Sequence, residues 1–489
     1  MKTLTIIGAG ISGLVCGVYA CRSGWRTVIL EKAGNPGGVS TSWKRKGYTF
    51  EGGIHWLIGA KPGVPLNDIW TEAGALRDNN PVFFKDPIYT LADGDVRLEL
   101  RRDLRSLATA VPEDRFALAL LRFHVWCFTF FHTPVQDIAG LKVRHPRHFS
   151  LLEFVKMGPA VLLTPALMLF SARKYISRFR NPHLRALLEA VVDPDINALS
   201  LIYTLSSFTS GDSGYPKGGS LRMAQNMADT FTSLGGEIRY RTPALEVVRD
   251  ADGSLIGVKT EAELLKSDAV VVSADARTAI DRLFVPPLQD RWAQRMRRNL
   301  LTSQCMFIAL GVRADLSAYP RCMKIMLSEP LKAGGINYDS ITVNNYSSDP
   351  EYAPRGCTAV TAILSGRSYG FWKQARENGS YSALKQEAVD AFIKALEEAV
   401  PEVKGKVEVS DMATPLTYER YCDTFEGSYM TDWLPGRSAC TAPIRYRKGI
   451  YFTGQRTSFS GGLPIAAETG RRCAQKLCKD FALEFVSRD

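Results

Sequence analysis

The sequence predicts an α/β protein that opens with a Rossmann-type dinucleotide-binding unit, and two observations carry that prediction. The first is the order of features in residues 4–31, LTIIGAGISGLVCGVYACRSGWRTVILE: an apolar run, a glycine triplet, a helix-compatible stretch, then a second apolar run ending in an acid. The second is the return of short apolar runs beside small residues far downstream, at 268–273 (DAVVVS) and 449–454 (GIYFTG). In the opening unit Gly8 permits a tight turn off the strand, and Gly10 leaves no side chain in the path of a pyrophosphate. Gly13 lets helix and strand pack closely. Ile11 and Ser12 open a helix whose free N–H groups and positive dipole end suit phosphates. Glu31, 18 residues after Gly13, falls where an acid can hold a ribose hydroxyl pair, with Lys32 beside it.

At 489 residues the chain is long enough for two or more domains. A hydrophobic content of 45% and a charged content of 23% exclude a disordered protein. The net charge of +11 raises nucleic acid as a partner, but no RNA- or DNA-binding motif accompanies it. The basic clusters Lys142–His148 and Arg173–Arg180 lie beside apolar stretches, which suits an anionic membrane surface or a solvated basic face. Ten scattered cysteines without a CxxC pair point to a reducing compartment, and six histidines without ligand spacing argue against a metal centre. Lys2 and the apolar stretch to Cys21 imitate a signal peptide, but cleavage there would destroy the phosphate loop. Met157–Ala172 comes nearest to a membrane span and is interrupted by Pro159 and Pro165. A cytoplasmic protein, peripheral on the membrane, is the expectation.

Further along, Asn35-Pro36-Gly37-Gly38 reads as a loop with approachable backbone, and residues 47–56 (GYTFEGGIHW) as a strand ending in a glycine turn. Residues 82–100 alternate about Ala92-Asp93-Gly94-Asp95 as a hairpin. The pattern is helical from about 104 to 211. After Tyr215-Pro216-Lys217-Gly218-Gly219, Ser220 reads as the N-cap of a helix with Leu221, Ala224, Met227, Ala228, Phe231 and Leu234 on one face, stopped by Gly235-Gly236. Strands are predicted at 237–248, 255–260, 306–312 and 358–364, and a helix at 380–399 ended by Pro401. Gly461-Gly462 opens a closing helix, with Pro464 in its first turn.

Four segments, 4–56, 215–236 (from YPKGGS), 268–275 (DAVVVSAD) and 449–478, resemble the FAD-dependent phytoene desaturase, carotenoid isomerase and retinol saturase group of the flavin amine-oxidase-like superfamily. The resemblance implies a Rossmann-type FAD-binding domain assembled from 1–75, 213–286 and 438–489. An α+β substrate domain from 76–212 and 287–437 would be inserted in it, with a mostly helical apolar part at about 104–211. It also implies FAD contacts at Gly37, Gly38, Val39, Gly53, Ile54, His55, Gly454, Gly461, Gly462, Leu463 and Pro464. Amine oxidases and many desaturases carry GGR where this chain has Gly37-Gly38-Val39. At that point, and at Gly53-Ile54-His55-Trp56, the saturase and isomerase branches are more similar.

Flavin exchanges a hydride with a substrate carbon through N5, and a helix N-terminus beside the ring favours negative charge there. Gly461-Gly462-Leu463-Pro464 fits that role. His55 and Trp56 follow the strand that the resemblance brings near the ring. His55 is a candidate to donate a proton or to orient the ring; the competing reading is a hydrogen-bonded structural histidine beside a core tryptophan. Lys217 reads as solvent-facing, and Tyr418, Glu419 and Arg420 resemble a segment that returns toward the substrate cavity. The apolar stretches 116–131 and 157–170 are either helical core or the mouth of a tunnel dipping into a bilayer, with Arg173, Lys174, Arg178 and Arg180 at the headgroups. The resulting expectation is an oxidoreductase of carbon–carbon bonds in an apolar isoprenoid lipid. Desaturation, saturation and isomerisation stay open, as does the electron partner. The alternatives are a flavin amine oxidase and, from another class, a non-catalytic prenyl-lipid escort protein.

Overall fold

The computed structural model describes residues 1–133, 135–147, 151–437, 440–458 and 461–488, with only the backbone of Leu151; His148 of the first basic cluster lies outside them. The apolar runs at both ends and in the middle of the chain meet in one sheet. Its spatial order is Glu237–Arg239, Arg26–Leu30, Thr3–Ile7, Ala269–Val272 and Ile450–Phe452, all parallel, closed by the antiparallel edge Arg445–Arg447. Strands covered on both faces tolerate no polar alternation, which is why Ala269–Val272 is uniformly apolar and buried. Ile7 pairs with both Leu30 and Val272, and Val272 with Phe452. That register brings Gly8, Glu31, Ser273 and Thr453 to one rim, where ligands bind in open parallel sheets.

The helix Ile11–Arg22 packs on this sheet between the helices Gly219–Ser233 and Leu463–Asp480. Gly17 admits the first of these: a Cβ there would lie 2.9 Å from the ring of Phe231, which is fully buried. Gly470 admits the second, since a Cβ there would lie 2.6 Å from the Ser12 carbonyl oxygen.

A second sheet of seven strands runs in the order Val407–Ala413, Cys305–Val312, Thr358–Ser365, Ile336–Asn345, Cys322–Ala333, Tyr89–Asp93, Val96–Leu100. Every pairing is antiparallel except that of Cys322–Ala333 with Tyr89–Asp93. The helices Tyr369–Glu377 and Tyr381–Ala399 cover one face through buried Trp372 and Phe392. Among the described residues between 105 and 209, six α-helices form a layer with its own core, including Arg115–Cys127, Leu151–Met168 and Ala198–Thr209. The ten cysteines are unpaired. No helix among the described residues is long and apolar enough to cross a membrane.

The helix expected at 380–399 spans Tyr381–Ala399, and the expected strands at 306–312 and 358–364 span Cys305–Val312 and Thr358–Ser365. Three expectations are corrected. Only 89–100 of the proposed hairpin is one; Val82 and Phe83 pair instead with Pro216 and Tyr215. The run at 237–248 divides at Arg241, which turns with φ +53°, so that Glu246–Arg249 joins a separate three-stranded sheet. Ser220 does not cap its helix: Gly218 stands at the cap with φ +77° and the helix begins at Gly219. Replacing Phe231 with Ala should lower stability by about 3–5 kcal/mol in chemical denaturation, as for other fully buried rings, because the void borders Gly17 and has no side chain to fill it.

Candidate functional site

At the rim of the parallel sheet the chain leaves Ile7 through Gly8, whose φ of +102° suits only glycine, and enters the helix at Ile11. A Cβ on Gly13 would lie 2.2 Å from the Gly8 carbonyl oxygen, so helix and turn are in backbone contact. Nothing lies within 4 Å of a Cβ placed on Gly10. The Gly37 N–H donates to the Ala9 carbonyl at 2.9 Å, and a Cβ on Gly38 (φ +62°) would come 3.5 Å from Gly10 Cα. Two bare stretches of main chain therefore lie against one another, with open space where a Gly10 side chain would stand. Val39 beside them is half-buried.

Glu31 is buried below this space. One carboxylate oxygen accepts the Ala9 N–H and the other the Ala33 N–H, both at 2.7 Å. Burial pushes its carboxyl above the ordinary range, against the pull of those two N–H groups. Each oxygen keeps a lone pair for a further donor. Lys32 turns the other way and pairs with Asp423 at 2.8 Å. On the far side Ser12 Oγ meets Ser273 Oγ at 2.9 Å, and Gly454 (φ +107°) lies against the Ser12 side chain. The closing helix starts at Leu463 behind Gly462 (φ +86°), with Pro464 in its first turn and no side-chain cap. Residues 461–466 are only half-buried, whereas 467–471 are buried.

The feature missed in the sequence is Glu51. This fully buried carboxylate accepts the N–H groups of Gly53 (2.8 Å) and Ile54 (2.9 Å) and the Ser220 hydroxyl with one oxygen. The other oxygen accepts the Ser220 N–H (2.8 Å), Ser42 Oγ (3.1 Å) and the Tyr352 hydroxyl (3.3 Å). Among the described residues no cation forms an ion pair with it. Glu51 thus does from outside what Ser220 was expected to do, satisfying the start of the Gly219–Ser233 helix, while pinning the turn that leads to His55. A Cβ on Gly219 would lie 1.8 Å from Glu51 Oε2, so the glycine is compulsory for the contact.

Beyond that turn His55 and Trp56 diverge. Trp56 packs on Phe208 of the helical layer with ring centroids 5.4 Å apart. His55 faces the seven-stranded sheet: its Nδ1 is 3.4 Å from the Asn344 amide nitrogen, and its Nε2 is buried without a hydrogen-bond partner. Burial, aided by the nearby Lys85 ammonium, lowers the imidazole to about 4. Lys85 donates to the His55 carbonyl at 2.9 Å and to Cys322 Sγ at 3.4 Å, and burial lowers it as well. Of the other segments named from sequence, Lys217 is partly exposed at 3.9 Å from Glu351. Glu419 accepts the Tyr369 hydroxyl, and the Tyr418 hydroxyl lies 3.9 Å from Cys305 Sγ.

The rim fits a dinucleotide. Gly10 and Gly38 leave room for phosphates, Glu31 offers buried acceptors, and Ser40 Oγ, Gln455 Oε1 and His55 Nε2 are buried polar atoms still lacking partners. Comparison with known proteins agrees. Residues 11–478 match the flavin containing amine oxidoreductase family, to which the chain belongs. It is 24% identical to a chloroplastic prolycopene isomerase of Arabidopsis thaliana over 99% of this chain and 84% of that one. It is also 24% identical to a lycopene-forming phytoene desaturase of Pseudescherichia vulneris (98% and 100%) and to an all-trans-retinol 13,14-reductase of Danio rerio (95% and 84%). Among solved structures, an oxidoreductase from Methanosarcina mazei superposes with a TM-score of 0.62 at 16% identity, covering 96% of this chain and 99% of that one. The protein is an FAD-dependent oxidoreductase.

Glu51→Ala should strand the buried N–H donors of Gly53, Ile54 and Ser220, at about 1–3 kcal/mol each. The expected result is a melting temperature lower by several degrees, read by calorimetry, together with loss of bound flavin absorbance on gel filtration.

Proposed function

We propose that this oxidoreductase acts on carbon–carbon bonds of an apolar isoprenoid lipid, a carotenoid or retinoid, that it takes from a membrane surface. The observation that carries the reading is the helix Arg115–Cys127, which is apolar on two opposite faces. Leu118, Leu121 and Val125 point into the helical core, while Phe116, Leu120, Phe123 and Trp126 stand exposed on the other side. The adjoining helix Leu151–Met168 adds exposed Leu152, Phe154, Val155, Val161 and Leu162, the last 81% accessible. Solvation alone does not account for so large an apolar surface. Cations border it: Arg115 stacks on Phe116, and Lys156 lies 5.5 Å from the Phe130 ring centroid. The second basic cluster is partly spoken for, because Arg173 pairs with Asp195 and Glu189 while Arg178 lies over Tyr175. Lys174 stays exposed.

FAD, when bound, supplies hydride exchange between its N5 and a substrate carbon. The protein's share is placement and dryness. Gly8, Gly10, Ile11, Ser12, Gly13, Gly37, Gly38 and Val39 form the phosphate cradle, with Glu31 beneath it for the ribose. Gly53, Ile54 and His55, with Gly454 and Gly461–Pro464, would hold the ring. The uncapped helix start at Leu463 favours negative charge near it. Because His55 is neutral from weak acid upward, it is not a charged acid at physiological pH. The Val39 and His55-Trp56 features support saturation or isomerisation over desaturation, while the relatives, an isomerase, a desaturase and a reductase at equal identity, favour none of the three.

Anaerobically reduced holoprotein incubated with all-trans-retinol and with prolycopene should yield a product that has lost a double bond or changed geometry, seen by chromatography and mass. Unchanged polyenes together with peroxide release from amines would overturn the reading. Flotation with anionic phosphatidylglycerol vesicles should carry the protein upward. Leu162→Asp combined with Phe123→Asp should reduce the floated fraction at least several-fold, and wild-type protein that never floats would remove the membrane half.

A further inference from the structure

Asn344 and Cys322 sit directly opposite one another on neighbouring antiparallel strands, and both are buried. Lys85 Nζ donates to Cys322 Sγ, and the thiol passes its own hydrogen to Asn344 Oδ1 at 3.1 Å. With Oδ1 occupied as an acceptor, the Asn344 amide nitrogen is left facing His55 Nδ1 at 3.4 Å. An amide N–H can only donate, so Nδ1 must be the bare nitrogen and a neutral ring then carries its hydrogen on Nε2. That Nε2 is buried and has no hydrogen-bond partner among the described residues. The main chain of His55 is fixed too, from one side by the Lys85 ammonium on its carbonyl and from the other by Glu51 on the preceding N–H groups.

From this arrangement we infer that His55 serves the cleft as a neutral hydrogen-bond donor through Nε2, with Asn344 as the positioning residue that sets the tautomer and Lys85 and Cys322 as the residues that orient Asn344. Resting on the flavin reading of the site, the inference narrows the two roles open to His55 in the sequence to one: it orients the cleft's occupant by offering a hydrogen bond to an acceptor atom, and it does not give its proton up. A buried donor held without a protein partner is costly, and an oxygen or nitrogen acceptor on the cleft's occupant removes that cost. Two sources share this chemistry, the flavin ring and the oxygenated end of a retinoid.

The test is two-bond ¹H–¹⁵N correlation of histidine side chains in full-length, flavin-loaded protein labelled at histidine, with the His55 signals assigned by their absence in His55→Gln. At neutral pH the spectrum should show a protonated Nε2 and a bare Nδ1. Asn344→Asp, which replaces the donor with a carboxylate, should reverse the pattern to a protonated Nδ1. Should that variant not fold, the wild-type spectrum alone decides. A wild-type His55 protonated at Nδ1, or at both nitrogens, overturns the inference. A shift of the Nε2 resonance on dithionite reduction assigns the acceptor to the flavin, and a shift on adding all-trans-retinol assigns it to the lipid. No shift in either arm overturns the donor role. None of these readings needs turnover, so a protein inert toward polyenes that still shows the Nε2 tautomer and the reduction shift loses the substrate proposal and keeps this one.

Discussion

One buried carboxylate ties together four separated stretches of the chain beside the cleft. Glu51 comes from the strand Tyr48–Glu51 and collects donors from its own downstream turn, from Ser42, from Tyr352 and from the first turn of the Gly219–Ser233 helix. A carboxyl group away from water is tolerable only when most of its lone pairs are used, and here six donors converge on two oxygens. Tyr352 also stacks on Tyr346 with centroids 4.7 Å apart and meets the Tyr215 hydroxyl. The knot thus reaches from residue 42 to residue 352 and determines where His55 stands.

Around that knot the molecule divides its labour. The parallel sheet supplies a rim of backbone, where glycines matter because the ligand must approach main chain. The seven-stranded sheet supplies Asn344 and Cys322, of which Asn344 faces His55 and Cys322 accepts from Lys85. The helical layer receives Trp56 on its inner side and turns aromatic and aliphatic side chains outward. Gradation from polar cradle through buried network to apolar exterior matches a cofactor with a charged end and a substrate with none.

Those parts differ in how far they could be read in advance. The phosphate loop was legible because strand, turn, helix and acid are contiguous within 28 residues and each glycine has a local reason. The Tyr381–Ala399 helix was legible for the same kind of reason, since its period and the stop at Pro401 are local. The strand Cys322–Ala333 was not, because Ser328–Glu329–Pro330 and its lysines break the alternation where the strand bulges between Met326 and Leu331. Glu51 gave one available signal, an acid inside an otherwise apolar strand before Gly52-Gly53. Its partner at Ser220 lies 169 residues away and leaves no trace in spacing. The same distance effect hid Asn344 from His55 and made Ser220 look like a cap.

The assembly of the dinucleotide sheet from three remote stretches has a consequence for biogenesis. The strand Ala269–Val272 has its second neighbour in Ile450–Phe452, so during translation its hydrogen-bonding edge is bare until residues 450–452 have left the ribosome. A nascent chain in that condition is sticky, and its first three hundred residues cannot finish a nucleotide pocket on their own. Acquisition of the flavin must therefore wait until that third stretch has joined the sheet and the helix Leu463–Asp480 has packed on Ile11–Arg22.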